Sequence, residues 1–364
     1  GIVVIFMSGS VPWEYQIGLI LVPTAIYGFM MLTSHFPVSE RVAAGVSYRE
    51  MLAEMGWGGA FIVSLMIVME LTANVLGIQG LRNIYIQVVI AGVFAAVFGS
   101  YTRSFGRPVF VFLLVVMLLL ATTELGTDSW VKDLLGPSMK SAFSSIDDPS
   151  RWVLVYTAAI MMVLRFVCGP IIERLKPLGV LAASALTVAV GIYWLAELGL
   201  DPSAGAIVII IACTVYGVGQ TFFWPTTLGL VSESFPRGGA ITLNVIAGVG
   251  MLGVGVLGNP WLGNVQDSEV TSALMEKSTE LHAKFVTEPR QSLFGEYVAI
   301  DVGKKANATA AELEQINAAE VEGKMAALKV VVILPLLMLV SYLGLMAYFK
   351  SKGGYKPILL QPSE

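Results

Sequence analysis

Apolar residues run along the chain in blocks of about 20, and shorter polar segments separate the blocks. About 20 apolar residues form a helix long enough to cross a hydrocarbon core about 30 Å thick. The pattern therefore predicts an all-α fold class, a polytopic helical membrane protein. The predicted spans cover residues 1–8, 16–34, 58–78, 84–99, 109–126, 152–172, 178–198, 204–231, 240–263 and 328–349.

Composition agrees with this pattern and excludes other classes. Of the 364 residues, 56% are hydrophobic and 13% are charged, whereas a soluble chain carries about 25% charged residues. Two histidines and two cysteines are too few for an ordinary zinc or iron–sulfur site, so we expect no metal and no cofactor. A net charge of −4 without a basic cluster argues against nucleic acid as a partner.

The first block is short and begins without methionine, at Gly1-Ile2-Val3-Val4. No basic residue precedes it, so the block does not resemble a signal peptide. We interpret it as the end of a helix that begins further upstream. On this reading the chain is a fragment that lacks its N-terminal part.

The short polar loops predict the orientation in the membrane. Every second loop is rich in lysine and arginine, and such loops lie on the cytoplasmic side. The segment 35–57 is one of them, and its apolar Met51, Leu52 and Met55 predict a short amphipathic helix on the membrane surface. The bases of this side are Arg41, Arg49, Arg103, Arg107, Arg174, Lys176, Arg237, Lys350, Lys352 and Lys356.

The long loop 264–327 then lies on the outer side. Residues 268–285 and 309–328 have the pattern of helices, and 307–312 resembles a helix start. We interpret this loop as a solvated cap, with a binding module as the alternative, because long loops cross the membrane regardless of charge.

A first family resemblance lies in residues 165–179. The pattern Gly-x-x-x-acid-Arg, formed by Gly169, Glu173 and Arg174 and followed by Pro-Leu-Gly, is similar to the loop signature of the major facilitator superfamily. The resemblance implies a gating role for these three residues and for Arg165. Gly169 would let neighbouring helices approach closely, and Arg165 would pair with an acid of another helix or bind an anionic substrate. The alternative is an ordinary basic turn.

A second resemblance lies in residues 217–240. Their aromatic-Pro-Thr sequence is similar to the tenth helix of sugar- and nucleoside-type facilitators, and the glycine-rich span 240–263 resembles the eleventh. The resemblance implies that residues 108–350 form a major-facilitator-like C-terminal six-helix half. Residues 1–34 would end the N-terminal half, 35–57 would be a cytoplasmic linker, 58–107 an extra two-span hairpin, and 351–364 a cytoplasmic tail.

Polar residues inside the spans are the candidates for substrate binding, because such side chains are costly in lipid. Gln220, Trp224 and Thr227 follow one another at i, i+4 and i+7, which predicts an amide, an indole and a hydroxyl on one helix face. Pro225 lacks an N–H and frees a backbone carbonyl there. These groups suit a sugar or a nucleoside, with Asn244 as a further candidate. The alternative is a kinked packing helix with satisfied polar groups.

Glu124 and Asp128 are candidates for proton coupling. They lie one turn apart at the outer end of their span, and a carboxylate in a dehydrated vestibule can take up a proton. The alternative is interfacial solvation, with Trp130 as an aromatic anchor.

Together these features predict a secondary active transporter that moves a small polar solute by alternating access. We expect a sugar, coupled to protons or sodium, with a nucleoside or peptide as the alternative. No phosphate-binding loop is present in the sequence, and we expect no enzymatic activity, although a membrane-embedded enzyme on lipid-linked substrates and a non-transporting sensor are rival hypotheses. We expect a monomer in the lipid bilayer of a bacterial inner membrane.

Overall fold

The computed structural model describes residues 11–77, 81, 83–128, 130, 150–201 and 205–361, so the predicted span 1–8 lies outside the described residues. Within the described part, eight helices are long and apolar enough to cross a membrane. The chain is therefore an all-α, multi-pass membrane protein. These eight are Trp13–Thr33, Tyr48–Glu70, Ile84–Thr102, Pro108–Gly126, Gly169–Gly199, Ile207–Ser234, Pro236–Lys277 and Ala310–Ser351.

Several of these long helices consist of shorter segments. Turns of π-helix over Leu71–Val75, Thr122–Gly126 and Val254–Gly258 continue the α-helices Tyr48–Glu70, Pro108–Ala121 and Gly239–Gly253, and a 3₁₀ turn over Pro236–Gly238 precedes the last of these. The elements are α1 Trp13–Gly18, α2 Leu21–Thr33, α3 Glu40–Ala43, α4 Tyr48–Glu70, α5 Ile84–Thr102, α6 Pro108–Ala121, α7 Ser150–Phe166, α8 Gly169–Gly199, α9 Ala206–Gln220, α10 Phe223–Ser234, α11 Gly239–Gly253, α12 Asn259–Lys277, α13 Thr279–Phe285, β1 Arg290–Ser292, β2 Gly295–Tyr297, α14 Val302–Lys305, α15 Ala310–Val331 and α16 Ile333–Ser351.

One predicted span is shorter than expected. The sequence predicts one helix over residues 152–172, but α7 ends at Phe166 and α8 begins at Gly169. Pro170 occupies the first turn of α8, where a missing N–H costs nothing. A second break follows at Lys176, whose φ of 59° is left-handed, before Pro177 starts the long part of α8.

The surface helix that the sequence predicts is the first part of α4. The prediction that its apolar side lies on the membrane surface was wrong. Ser47 and Glu50 form a capping box that starts the helix, and Gly56, with φ 57°, breaks it before the apolar part. Met51 and Met55 are buried in the protein, so the apolar side of this segment packs on the bundle. The pattern of apolar positions predicts the helix, but it does not indicate that the apolar face packs on the protein.

The break at Gly56 is held by the loop between α5 and α6. The N–H groups of Trp57 and Gly58 donate to the carbonyls of Ser104 and Phe105, at 2.9 and 3.0 Å. A Cβ atom on Gly56 would lie 2.0 Å from the nitrogen of Gly106. Only glycine permits this approach, and the hydrogen bonds replace those that the break removes from α4.

The main core lies between α6, α8, α9, α11 and α16. Each of these helices contributes large side chains with almost no exposed surface, as expected for helices that pack against protein rather than lipid. In contrast, neither α1 nor α2 contains a buried residue. The core includes Phe110, Leu113, Met117, Leu181, Ile192, Tyr216, Ile246, Met338 and Tyr342.

The long loop forms a folded cap outside the bundle. Pro236–Lys277 and Ala310–Ser351 each contain 42 residues, and a helix of that length spans about 60 Å, twice the hydrocarbon thickness. α12 and α15 are therefore the projecting ends of α11 and α16. With α13 they enclose a second core of Ala273, Leu274, Leu281, Phe285, Ile316 and Ala319. The helix predicted over 309–328 is present as α15, and a capping box of Thr309 and Glu312 starts it. The helix predicted over 268–285 is divided at Ser278, whose backbone is extended, into the end of α12 and the whole of α13.

The bases of the short loops gather at the end of the bundle opposite the cap. Arg237 precedes α11, while the cap follows it. The Arg41 side chain lies against Gly239, and Arg107 and Lys356 line one small cavity. We call this end the basic end. The positive-inside rule predicts that it faces the cytoplasm.

Candidate functional site

A break in the helix between α9 and α10 organises the site. α9 ends at Gln220 and α10 begins at Phe223, so one long apolar segment is divided at Thr221 and Phe222. Pro225 is the third residue of α10 and has no N–H for the Thr221 carbonyl, four residues before it. The freed carbonyl that the sequence predicted at Pro225 is thus available to another donor.

That donor is Arg165 of α7. Its Nε donates to the Thr221 carbonyl at 3.1 Å, and its Nη2 lies 3.6 Å from Oε1 of Glu124. The Glu124 side chain is 7% exposed and that of Arg165 is 43% exposed. The predicted pairing of Arg165 with an acid of another helix is present, and the partner is Glu124.

The ion pair forms one wall of a cavity of about 370 Å³. Small-molecule sites in proteins have volumes of about 300–1,000 Å³. The rest of the lining is apolar, and the Trp224 indole adds an aromatic surface. The lining residues are Glu124, Leu125, Arg165, Trp224, Pro225, Leu228 and Met251.

A second polar network lies beside the cavity, around the Tyr216 hydroxyl. This hydroxyl donates to Oδ1 of Asp128 at 3.0 Å and accepts from Nε2 of Gln220 at 2.6 Å. It also lies 2.7 Å from the Thr127 hydroxyl. Nε2 of Gln220 further approaches the backbone carbonyl of Glu124, at 3.4 Å. The two predicted carboxylates are therefore neighbours in different networks, Glu124 with Arg165 and Asp128 with Tyr216.

A π-helical turn over Thr122–Gly126 contains Glu124 and ends just before Asp128. A π turn adds about one residue to each helical turn, and from this irregular segment Glu124 contacts Arg165 while Asp128 contacts Tyr216. Glu124 is buried beside the cavity, while Asp128 is partly exposed. π turns of this kind are frequent at functional sites.

Glycine residues bring Tyr216 to its position. A Cβ atom on Gly191 of α8 would lie 2.8 Å from the Cα atom of Tyr216, and one on Gly219 of α9 would lie 2.6 Å from Val188. α8 and α9 therefore touch backbone to backbone at this level, as small residues permit in membrane bundles. The close approach directs Tyr216 towards Asp128.

Several buried oxygens near the site have no hydrogen-bond partner among the described residues. The group includes Oε2 of Glu124, which lies beside the cavity. Buried polar atoms are nearly always paired, so these oxygens are places where a proton or a solute would be stabilised. The others here are Oε1 of Gln220 and Oγ1 of Thr226.

The predicted face of Gln220, Trp224 and Thr227 is only partly present. Trp224 lines the cavity, but Gln220 and Thr227 are buried and contribute nothing to its lining. The i, i+4, i+7 rule assumes one continuous helix. The break at Thr221 and Phe222 changes the direction of the faces, and the prediction of one shared binding face was therefore wrong.

Asn244 also lies away from the cavity. It is exposed on α11, whose buried face contains Thr242, Ile246 and Val249. Asn244 is two positions from both Thr242 and Ile246, which places it on the opposite side of the helix. The structure therefore corrects the prediction that Asn244 lines an inner cavity.

The predicted gating loop is at the start of α8. Glu173 and Arg174 are exposed there, just before the break at Lys176. A Cβ atom on Gly169 would meet nothing within 4 Å, so the predicted close helix contact at Gly169 was wrong. The remaining gating candidate, Arg165, lies in the cavity wall and not in this loop.

Sequence reasoning missed Tyr216, Thr127 and Tyr342. Tyr216 precedes Gln220 by four residues on α9, so helical spacing from a polar candidate could have indicated it. Thr127 is adjacent to Asp128 in sequence and could have been found in the same way. Tyr342 lies on α16, more than 90 residues from the other site residues, and no local signal connects it with them.

Comparison with known proteins adds no assignment. No family model, no curated protein and no solved structure matches this chain.

Proposed function

We propose that this protein is a secondary active transporter that moves a small polar solute by alternating access, coupled to protons through Glu124. The main support is a buried carboxylate that shares a cavity wall with a half-exposed arginine, at a break in a membrane helix. Transporter sites recur at broken helices near the bilayer midplane. The major facilitator superfamily, which the sequence resembles, has this mode of action.

The chemistry of the pair suggests the coupling step. When Glu124 is ionised, it holds Nη2 of Arg165. Proton uptake by Oε2, which has no partner among the described residues, neutralises Glu124 and releases the terminal nitrogens of Arg165 to the solute. Return of the proton would restore the pair and displace the solute. Arg165 keeps its bond to the Thr221 carbonyl in both states, so the guanidinium stays in place.

A sugar is the first candidate substrate. The Trp224 indole offers a surface on which a sugar ring stacks, and guanidinium and carboxylate groups hydrogen-bond hydroxyls. A short peptide is the second candidate, because one wall of the cavity presents both a positive and a negative group. A nucleoside would use the same indole.

Uptake into proteoliposomes tests the proposal. Full-length protein would be supplied with labelled hexoses, nucleosides and dipeptides under an inward proton gradient. We expect accumulation of one class and its loss when a protonophore removes the gradient. Glu124→Gln, a neutral stand-in for the protonated acid, should abolish accumulation but retain exchange of labelled for unlabelled solute, because exchange requires no proton release.

The matched control is Glu197→Gln. Glu197 also pairs with a base, Lys329 at 2.9 Å, but on the exposed surface. Its loss should leave accumulation unchanged. Accumulation that survives the protonophore would refute proton coupling, and product formation without accumulation would favour the membrane-embedded enzyme.

A further inference from the structure

The cap contains a cavity of its own, between α12, α14 and α15. Its volume is about 540 Å³, within the range of small-molecule sites. The floor is apolar and includes Val270, Ile300 and Leu313. The rim is polar, with an amide and charged groups of both signs: Gln266, Asp267, Lys305, Glu320 and Lys324.

The walls of this cavity are set by a close helix crossing. A Cβ atom on Gly323 of α15 would lie 2.3 Å from the Cα atom of Val270 on α12. The two helices therefore touch backbone to backbone beside the cavity, and packed helices of this kind present side chains in fixed positions. Asp267 and Lys324 lie within one turn of the crossing, one on each helix.

Two of the four charged side chains at the rim form an ion pair with each other, and the other two do not. Lys305 and Glu320 form an ion pair with 2.5 Å between nitrogen and oxygen, and each side chain is 24% exposed. Asp267 and Lys324 have no ion-pair partner among the residues that the structure describes. Arg290 adds a favourable charge to Asp267 at longer range. One acid and one base, on different helices, thus remain available to a ligand.

We propose that this cap cavity binds a zwitterion with an apolar side chain, an amino acid or a short peptide. Asp267 would hold the ammonium group, Lys324 the carboxylate, and the apolar floor the side chain. A pure anion or cation would leave one of the two groups without a partner, which costs affinity. An uncharged sugar would satisfy neither charge. The site goes beyond the proposed transport site, because it lies outside the membrane-spanning bundle.

Titration calorimetry on the full chain in nanodiscs tests this site. The probe is the dipeptide alanyl-leucine, compared with its N-acetylated and its C-amidated forms. We expect the free dipeptide to bind, and each blocked form to bind about tenfold more weakly, because each lacks one charge. Absence of binding by the free dipeptide at millimolar concentration would overturn the proposal.

Two substitutions assign the charges. Asp267→Asn should weaken the free dipeptide about tenfold but leave the N-acetylated form unchanged, because both changes remove the same contact. Lys324→Met should do the same for the C-amidated form. Glu314→Gln, on the exposed side of α15, is the control and should change nothing. Equal effects of each substitution on all three peptides would show that the charges make no contact with the termini, and would overturn the proposal.

Further measurements keep the test independent of folding and of transport. Melting temperatures of the variants show whether the cap remains folded, and the charge-exchanged pair Asp267→Lys with Lys324→Asp should regain binding if both singles lose it. Alanyl-leucine that occupied the transport cavity instead would bind the Asp267→Asn and Lys324→Met proteins as it binds the unsubstituted protein, and this result would overturn the cap site. Failure of transport would then leave this site standing, and failure of this site would leave transport standing.

Discussion

At the scale of single residues, Arg165 is the side chain on which the site depends. It bridges two acceptors on different elements, the Thr221 carbonyl and the Glu124 carboxylate. A guanidinium can serve both at once because its donors form a rigid planar fork, whereas a lysine ammonium is a compact point charge. Charge alone should therefore not replace this residue.

This difference predicts the behaviour of Arg165→Lys. We expect the initial rate of uptake to fall by about tenfold, equivalent to about 1.4 kcal/mol, because the lysine cannot hold both acceptors in the arginine geometry. The measurement is initial uptake in proteoliposomes with equal amounts of inserted protein. Arg49→Lys, an exposed base at the basic end, should leave the rate unchanged. Equal rates for Arg165→Lys and the unsubstituted protein would show that only charge matters there.

The local sequence predicted which chemical groups these residues contribute better than it predicted which way their side chains point. An arginine within an apolar span needs an acid, so a partner for Arg165 could be predicted, and Pro225 indicated a free carbonyl. Gln220 and Thr227 were assigned to one face with Trp224 because the spacing rule does not include a break in the helix. Which carboxylate Arg165 meets depends on how α6 and α7 pack, and spacing along one helix contains no information on that.

At the scale of elements, glycines decide which helices touch. Gly191 permits backbone contact between α8 and α9 beside Tyr216, whereas a Cβ atom on Gly248 of α11 would meet nothing within 4 Å. The two positions are both inside helices and differ only in their neighbours. Glycine inside a helix costs about 0.5–1 kcal/mol relative to alanine, and this cost is recovered only where a close contact needs it.

The pair Gly191→Ala and Gly248→Ala should therefore have opposite effects. We expect Gly191→Ala to lower the free energy of unfolding by about 1–3 kcal/mol, because the added methyl group forces α8 from α9. Gly248→Ala should raise it by about 0.5–1 kcal/mol. Thermal unfolding in detergent measures both. A Gly191→Ala protein as stable as Gly248→Ala would mean that the close contact of α8 and α9 contributes nothing to stability.

Hydropathy predicted the apolar elements well and their interruptions poorly. A block of about 20 apolar residues requires a helix in lipid, because every backbone group must be paired there. The breaks at Gly56 and Lys176 do not depend on hydropathy. The first depends on the loop 103–107, which supplies the missing hydrogen bonds from 47 residues away, and so lies beyond any local pattern.

At the scale of the whole molecule, the C-terminal tail connects two helices at the basic end. Gly353 and Gly354, with φ of 92° and 94°, turn the chain back after α16. Tyr355 then donates to Oε2 of Glu233 at 2.7 Å, and the Ile358 N–H donates to the Glu233 carbonyl at 2.9 Å. Glu233 is near the end of α10, the helix that begins at the cavity.

The arrangement of the helices is the part that the sequence predicted least. The spans, the basic end and the two long cap helices could be predicted from composition and from loop charge. The resemblance to a six-helix half added an expected order of helices, but the contacts of the site join residues of α6, α7 and α9 with the break before α10. A tail that returns to Glu233 has no periodic signal, since its hydrogen bonds to Glu233 come from a single phenol and one backbone N–H.

The hydrogen bond between Tyr355 and Glu233 predicts that docking of the tail on the bundle does not depend on pH over the physiological range. Burial, and then the hydrogen bond to Glu233, raise the pKa of Tyr355 above its ordinary value. A raised pKa means that the protonated phenol is favoured in the folded protein. Its contribution is fully present below the ordinary tyrosine pKa of about 10 and is lost as the pH rises through the raised value.

Tyr355→Phe should therefore loosen the tail without affecting the bundle. The lost bond is half-exposed, so we expect about 1 kcal/mol, or roughly a fivefold increase in the undocked fraction. Trypsin cleavage after Lys352 and Lys356 measures that fraction, because a protease reaches an exposed chain when it undocks. The cleavage of Tyr355→Phe relative to the unsubstituted protein should be the same at neutral and at mildly alkaline pH, since the phenol does not ionise between them. Tyr348→Phe, an exposed tyrosine beside the same ring cluster, should cleave at the original rate, and a Tyr355→Phe protein that does likewise would show that the backbone bond to Glu233 alone holds the tail.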